Sequence, residues 1–345
     1  MTTFKRYLAY RLKSRIGYTA TVSVLGFLIT LISLIEEHDG NVTQNTDSLF
    51  FIPATILSIV AVMSAILEFM PFLNRRNLDT LYTMPIHRRT MHLVHYLSGL
   101  SSTLFCHTVS FFLVFFFWLP HREYFALGYA IPLYFISIVC GIVMYAIAVF
   151  LFSQGNTLVD GCLTLGLCGF SMPLCFTAVD GMYNFLKHLG FDPSTFTFFW
   201  SPINEYTTVY QKLIECDTYL GMLNNTPHYL TLSEFFGSTD TIIMTILFLL
   251  LGIGAVFGFF FSYCRKRIET VGEITTSFFS YRTMIPLYAF ALLTILGIDA
   301  ITVCILLLCM VIGYIIYRRT YRLKKSDFIV MGIFILYAVV NGIFG

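Results

Sequence analysis

Charge is what this 345-residue chain has least of. Asp, Glu, Lys and Arg make up 12% of it, against 57% hydrophobic and 17% aromatic residues. A soluble domain uses about 25% charged residues, so half of what a water-facing surface needs is missing. In water such a chain would expose apolar patches too large for it to stay monodisperse. The scarcity excludes a soluble fold and implies an integral membrane protein. An excess of either sign is missing too. The 21 Lys and Arg nearly balance 19 Asp and Glu, which excludes a nucleic-acid binder that works by neutralising phosphates. There is no G-x-x-x-x-G-K-[ST] loop, so the chain does not itself hydrolyse ATP by that route. No His-Glu-x-x-His, paired C-x-x-C or Cys/His dyad occurs, and the eight histidines are scattered. A metal site, a resident cofactor and an enzymatic role are therefore not expected.

What is present is a series of apolar runs. A spanning helix needs about 20 apolar residues. That criterion gives approximate spans at 17–35, 49–73, 93–119, 127–152, 161–183, 239–263, 283–298, 299–317 and 327–344. The seventh and eighth share one run broken at Gly297-Ile298-Asp299, so the last 60 residues read as two or three crossings. Eight of the nine cysteines lie in or beside these runs and read as small buried hydrophobes; Cys216 is the exception. Lys and Arg concentrate in cytoplasmic loops. With the N-terminus inside, every Lys and Arg except Arg122, Lys187 and Lys212 falls on the inner side. The expected topology is thus multi-pass, with a cytoplasmic N-terminus.

The chain divides accordingly. Residues 1–16 place Phe4, Tyr7, Leu8, Arg11 and Leu12 at helical spacing beside Lys5, Arg6, Lys13 and Arg15, which reads as a basic amphipathic helix on the inner interface or as a flank that merely orients the first span. It is not a signal peptide, because the following apolar stretch is too long. A six-span core follows over 17–263, then a basic linker over 264–282 and the extra helices of 283–345. Two polar elements exceed what topology needs, namely an inner loop at 74–92 and an outer insertion at 183–238.

The inner loop reads R-R-N-L-D-T-L-Y-T-M-P-I-H-R-R over 75–89. Leu78, Leu81 and Tyr82 fall at i, i+3, i+4, one face of a short helix. Pro85 ends that helix, since the residue before proline avoids the helical region. The result is an apolar knob flanked by basic residues, buried either on a partner protein or among lipid headgroups. This run, with the span that opens H-Y-L-S-G-L at 95–100, resembles the coupling-helix region of bacterial ABC type-2 transporter permeases. The run at 263–273, ending Glu269-Thr-Val-Gly272-Glu273 after Arg267, resembles the basic segment after the sixth span in the Firmicute branch with extra C-terminal helices.

The resemblance implies an all-α polytopic membrane protein with an N-terminal amphipathic interfacial helix, a six-helix permease core and two or three further helices. It implies that Leu78, Asp79, Leu81, Tyr82, Pro85, Ile86, Arg88 and Arg89 dock on a separate ABC ATPase subunit. That subunit carries the ATP and Mg. A second permease, identical or related, completes the dimer in the bacterial plasma membrane. The expected function is export of an amphipathic or hydrophobic cargo such as an antimicrobial peptide, a lipid-linked molecule or a drug. A non-transporting sensor or scaffold and, less readily, a polytopic membrane enzyme are the alternatives.

Ionisable groups inside a bilayer are functional candidates. Glu68, about 10 Å before the inner loop, is the clear one. It is expected to pair with Arg75 or Arg76, or to contribute to a gate or pathway. Asp160 and Asp180 bracket the fifth span, while His95 and His107 read as packed polar residues. In the outer insertion, Phe198, Phe199 and Trp200 belong to a proline-bounded aromatic patch, which reads as a headgroup anchor or an outer gate.

Overall fold

The computed structural model describes residues 3–38, 46–118, 127–169, 239–263 and 271–344, apart from 274, 276, 278–280, 298 and 319. Every regular element among them is helical: α1 (Thr3–His38), α2 (Thr46–Phe69), α3 (Arg75–Tyr82), α4 (Arg88–Trp118), α5 (Leu127–Ser153), α6 (Leu158–Gly169), α7 (Thr239–Tyr263), α8 (Tyr281–Leu296), α9 (Ala300–Arg318) and α10 (Lys325–Phe344). A 3-10 turn, Met70–Leu73, links α2 to α3. Helices satisfy their own backbone groups, as hydrocarbon requires. Five stretches are long and apolar enough to cross a bilayer: Phe4–Ile32, Thr55–Leu73, Arg88–Phe117, Tyr134–Ser153 and Ala300–Arg318. The described residues are all-helical, and these stretches mark a membrane protein. A helix stands at each of the nine expected span positions, although 170–183 lies outside the described residues.

Two expectations are corrected. The separate helix over 1–16 does not exist as such, because Thr3–His38 is one unbroken helix of 36 residues. Gly17 stands at the expected joint, but one glycine costs a helix only about 1 kcal/mol. Two of the basic residues before it, Arg11 and Arg15, also find partners inside the fold. In addition, α4 starts at Arg88 rather than at 93, so Arg88 and Arg89 form its first turn.

The described residues form two units. The first comprises α1 to α4, α5 as far as Phe150, and α7. Here α4 lies against both α1 and α2. Its contact face is small and polar, with Ser98, Ser102, Cys106 and Ser110 recurring every four residues, all buried. Thr19 Oγ1 meets Ser102 Oγ at 2.8 Å, and the Tyr18 hydroxyl meets Ser64 Oγ at 3.2 Å. Gly26 keeps the backbones close, since a Cβ there would sit 3.1 Å from Cys106 Sγ. Small residues and interhelical hydrogen bonds take the place of hydrophobic packing when lipid is the solvent.

The second unit holds the end of α5, α6, and the chain from Val271 onward. Gly297 turns the chain at φ 91°, a left-handed conformation that suits glycine. The last 60 residues accordingly form three helices, α8 to α10. Their core is Ala289, Leu293, Leu306, Met310, Tyr314, Phe334 and Ala338. Cys168 is buried within the protein, whereas Cys162, Cys304 and Cys309 lie on the outer surface of their apolar helices.

One ion pair closes the α9–α10 turn. Arg318 Nη2 donates to Asp327 Oδ1 at 2.7 Å while Nη1 engages Oδ2, and both side chains are buried. Asp327 also reaches back from the third position of α10 to accept from the Lys324 N–H at 2.8 Å, a reciprocal helix cap. Removing one partner of such a pair strands the other charge, at a cost of about 3 kcal/mol. Asp327→Asn is therefore expected to open this turn. Amide exchange in the first turn of α10 should rise well above that of the unchanged chain, and equal protection in the two proteins would contradict the assignment.

Candidate functional site

Glu68 lies in the last turn of α2 and is almost fully buried. Its carboxylate collects donors from two neighbouring helices. Arg11 of α1 gives Oε2 two hydrogen bonds, from Nη2 at 2.9 Å and Nε at 3.2 Å. Arg15, one turn further along α1, faces Oε1 with its Nε at 2.9 Å. From α4, His95 Nδ1 lies 3.0 Å from Oε2, and Ser98 Oγ donates to Oε1 at 3.3 Å. An ionised carboxylate only accepts, so the His95 proton sits on Nδ1. His95 Nε2 then accepts from the Tyr7 hydroxyl at 3.1 Å.

Arg15 does a second job that the sequence explains. Leu67, near the end of α2, would normally offer its carbonyl to the N–H four residues on. That residue is Pro71, which has none. Arg15 Nη2 supplies the missing donor at 2.9 Å and sets a positive charge at the helix C-terminus, where the macrodipole favours one. Aromatic rings seal the cluster. Phe72 of the 3-10 turn lies 4.8 Å from both His92 and His95, and Phe69 packs edge-on against Phe259 of α7 at 5.1 Å.

Glu68 was expected to pair with Arg75 or Arg76. Seven residues would bring them onto one face only if α2 ran on unbroken. The 3-10 turn at Met70–Leu73 interrupts it, and Arg76 is exposed to solvent beyond the break. The Arg75 side chain lies outside the described ones, and among these the partners are the arginines of α1. Their signal was present in the sequence, because Tyr7, Arg11 and Arg15 recur every four residues and form one face of a helix.

α3 grows directly out of this block. Asn74 caps it by accepting from the Arg76 N–H at 3.1 Å, and a tight turn through Pro85 ends it, with the Ile86 N–H on the Met84 carbonyl at 2.7 Å. Leu78, expected on the exposed knob, is instead 2% exposed and belongs to the fold. Leu81, Tyr82 and Ile86 are half-buried, while Asp79, Pro85, Arg88 and Arg89 are exposed. The Arg88 guanidinium sits 4.3 Å over the Tyr82 ring. The outward face of α3 is therefore an aromatic-aliphatic pair ringed by charge.

Other expected residues fall elsewhere. His107 bonds Ser137 at 2.7 Å, between α4 and α5. In the second unit Gly272, at φ 89°, gives its N–H to the Asn156 carbonyl at 3.0 Å, and Glu273 is exposed. Arg267, Glu269, Phe198, Phe199 and Trp200 lie outside the described residues, as does Asp180. Among the described residues no three His, Cys, Asp or Glu side chains come close enough to hold a metal ion. No family model matches the chain, and no curated protein or solved structure matches it either.

Chemically the two carboxylate oxygens differ. Oε2 accepts from Arg11 and His95, whereas Oε1 accepts one long bond from Ser98 and faces Arg15 as an ion pair. What Glu68 can do is bind three helices at one point. The two ways of breaking it are unequal. Removing Glu68 leaves Arg11 and Arg15, whose side chains are already 18% and 20% exposed, against 3% for Glu68. Removing both arginines strands a buried carboxylate. Arg11→Ala with Arg15→Ala is therefore expected to cost about 3–5 kcal/mol and Glu68→Ala about 2 kcal/mol. Unfolding of the two variants in the same detergent checks this, and the reverse order would contradict it.

Proposed function

We propose that this chain is the transmembrane permease subunit of an ATP-driven ABC exporter, with α3 as the element that docks a separate ATPase subunit. The observation that carries the reading is the construction of α3. It is a capped, eight-residue amphipathic helix held between the ends of two spanning helices, with Leu78 anchored inward and Leu81 and Tyr82 half-buried beside the exposed Asp79, Arg88 and Arg89. A short helix fixed at both ends moves with the spans that carry it. A partner that binds two conformations of it unequally thereby shifts the membrane domain between two states.

The rest of the reading follows the sequence resemblance. The ATPase brings ATP and Mg, a second permease completes the dimer, and α3 faces the cytoplasm of a bacterium. The cargo is an amphipathic or hydrophobic molecule. A membrane enzyme is disfavoured because Arg11 and Arg15 hold the Glu68 carboxylate as an ion pair rather than as a free base.

A tagged chain purified in mild detergent from its native membrane is expected to bring an ATPase subunit in stoichiometric amount. Replacing Leu81 and Tyr82 with Asp should abolish that recovery, at least tenfold, while the variant stays inserted and folded. Equal recovery with the variant, or no ATPase with the unchanged chain, would contradict the docking assignment.

A further inference from the structure

Tyr145 of α5 is fully buried, yet among the described residues its hydroxyl has no hydrogen-bond partner. Burying a hydroxyl unpaired forfeits its hydration with no return, and a phenylalanine would fill the same volume without that cost. The hydroxyl is not placed at random. It points into a notch left by Gly99 of α4. A Cβ on Gly99 would fall 2.1 Å from the Tyr145 Oη and 3.0 Å from Glu68 Cγ, so both side chains converge on the one place where α4 has no side chain. Tyr145 also packs against Tyr96, with ring centroids 5.2 Å apart, which holds the phenol in this direction.

We propose that Tyr145 is a second partner of Glu68, which its hydroxyl engages when Arg11 and Arg15 withdraw. The arrangement has the asymmetry such an exchange needs. His95 and Ser98 sit on α4 and are buried, so they stay with the carboxylate. Arg11 and Arg15 belong to α1, and about a fifth of each side chain is exposed, so they are the less enclosed donors and the ones able to leave. Arg15 faces Oε1, whose other neighbour, Ser98, makes only a long bond of 3.3 Å. Oε1 is thus the oxygen that comes free, and the Tyr145 O–H donates to it. No proton changes owner; one donor set replaces another. Glu68 becomes a two-position joint, tying α1 to α2 in one state and α5 to α2 in the other. What drives the exchange rests on the ATPase-docking reading above, whereas the exchange itself is a property of this chain alone.

The test is a thermal-unfolding cycle on the purified chain in lipid nanodiscs. Tyr145→Phe in the unchanged background is expected to leave the Tm in place or raise it, because an unpaired hydroxyl is removed. In the Arg11→Gln, Arg15→Gln background the same change should lower the Tm by about 2 °C or more, because Phe cannot donate to the freed carboxylate. If that background does not fold, Arg15→Gln alone frees Oε1 and should show the same reversal. An identical effect of Tyr145→Phe in every background would overturn the proposal. Since no ATPase is present, a reversal together with a failed ATPase pull-down removes the transporter reading and leaves the joint standing.

Discussion

A carboxylate that cannot reach water organises this end of the molecule. Glu68 sits in a span, and burying its charge is tolerable only if donors surround it. α1 brings two guanidinium groups, and α4 brings an imidazole and a hydroxyl. Those requirements fix the rotation of α1, set the His95 tautomer and bring the Tyr7 hydroxyl to its Nε2. Pro71 adds a second demand by orphaning the Leu67 carbonyl, and Arg15 meets both. The α2 end, the 3-10 turn, α3 and the first turns of α4 consequently form one block, with α1 joined to it at this level through polar contacts.

That division matters for the proposed role. Packed aromatic contacts such as Phe69 on Phe259 make the block stiff, whereas a charged contact with one-fifth-exposed partners can be exchanged for another. A displacement of α3 therefore has a rigid lever and a separable joint behind it. The unpaired hydroxyl of Tyr145 marks where the carboxylate finds its other donor. Further along the spans, the serine and threonine seam between α1, α2 and α4 holds the helices close without committing them to interlocked aliphatic packing.

Much of the fold was legible in the sequence because hydrophobic run length and the low charge content both report on lipid as solvent. The break at Gly297 and the short helix ended by Pro85 were legible from local backbone chemistry. The Glu68 partners were not, because spacing along one chain predicts neighbours only while a helix continues, and Met70–Leu73 stops it. The inward turn of Leu78 was equally hidden, since a three-residue apolar face does not say which member the protein keeps for itself. The unity of α1 was misjudged because its basic residues look water-seeking until their buried partner is known.

The most direct test is to exchange the charges. Arg11→Glu and Glu68→Arg, made separately, put like charges together around a buried site and should each lower the unfolding temperature markedly. Made together, they preserve the charge composition of the cluster and should restore most of the loss, an interaction energy above about 1 kcal/mol. A double variant as damaged as the two single variants combined would show that the carboxylate does not tie α1 to the block.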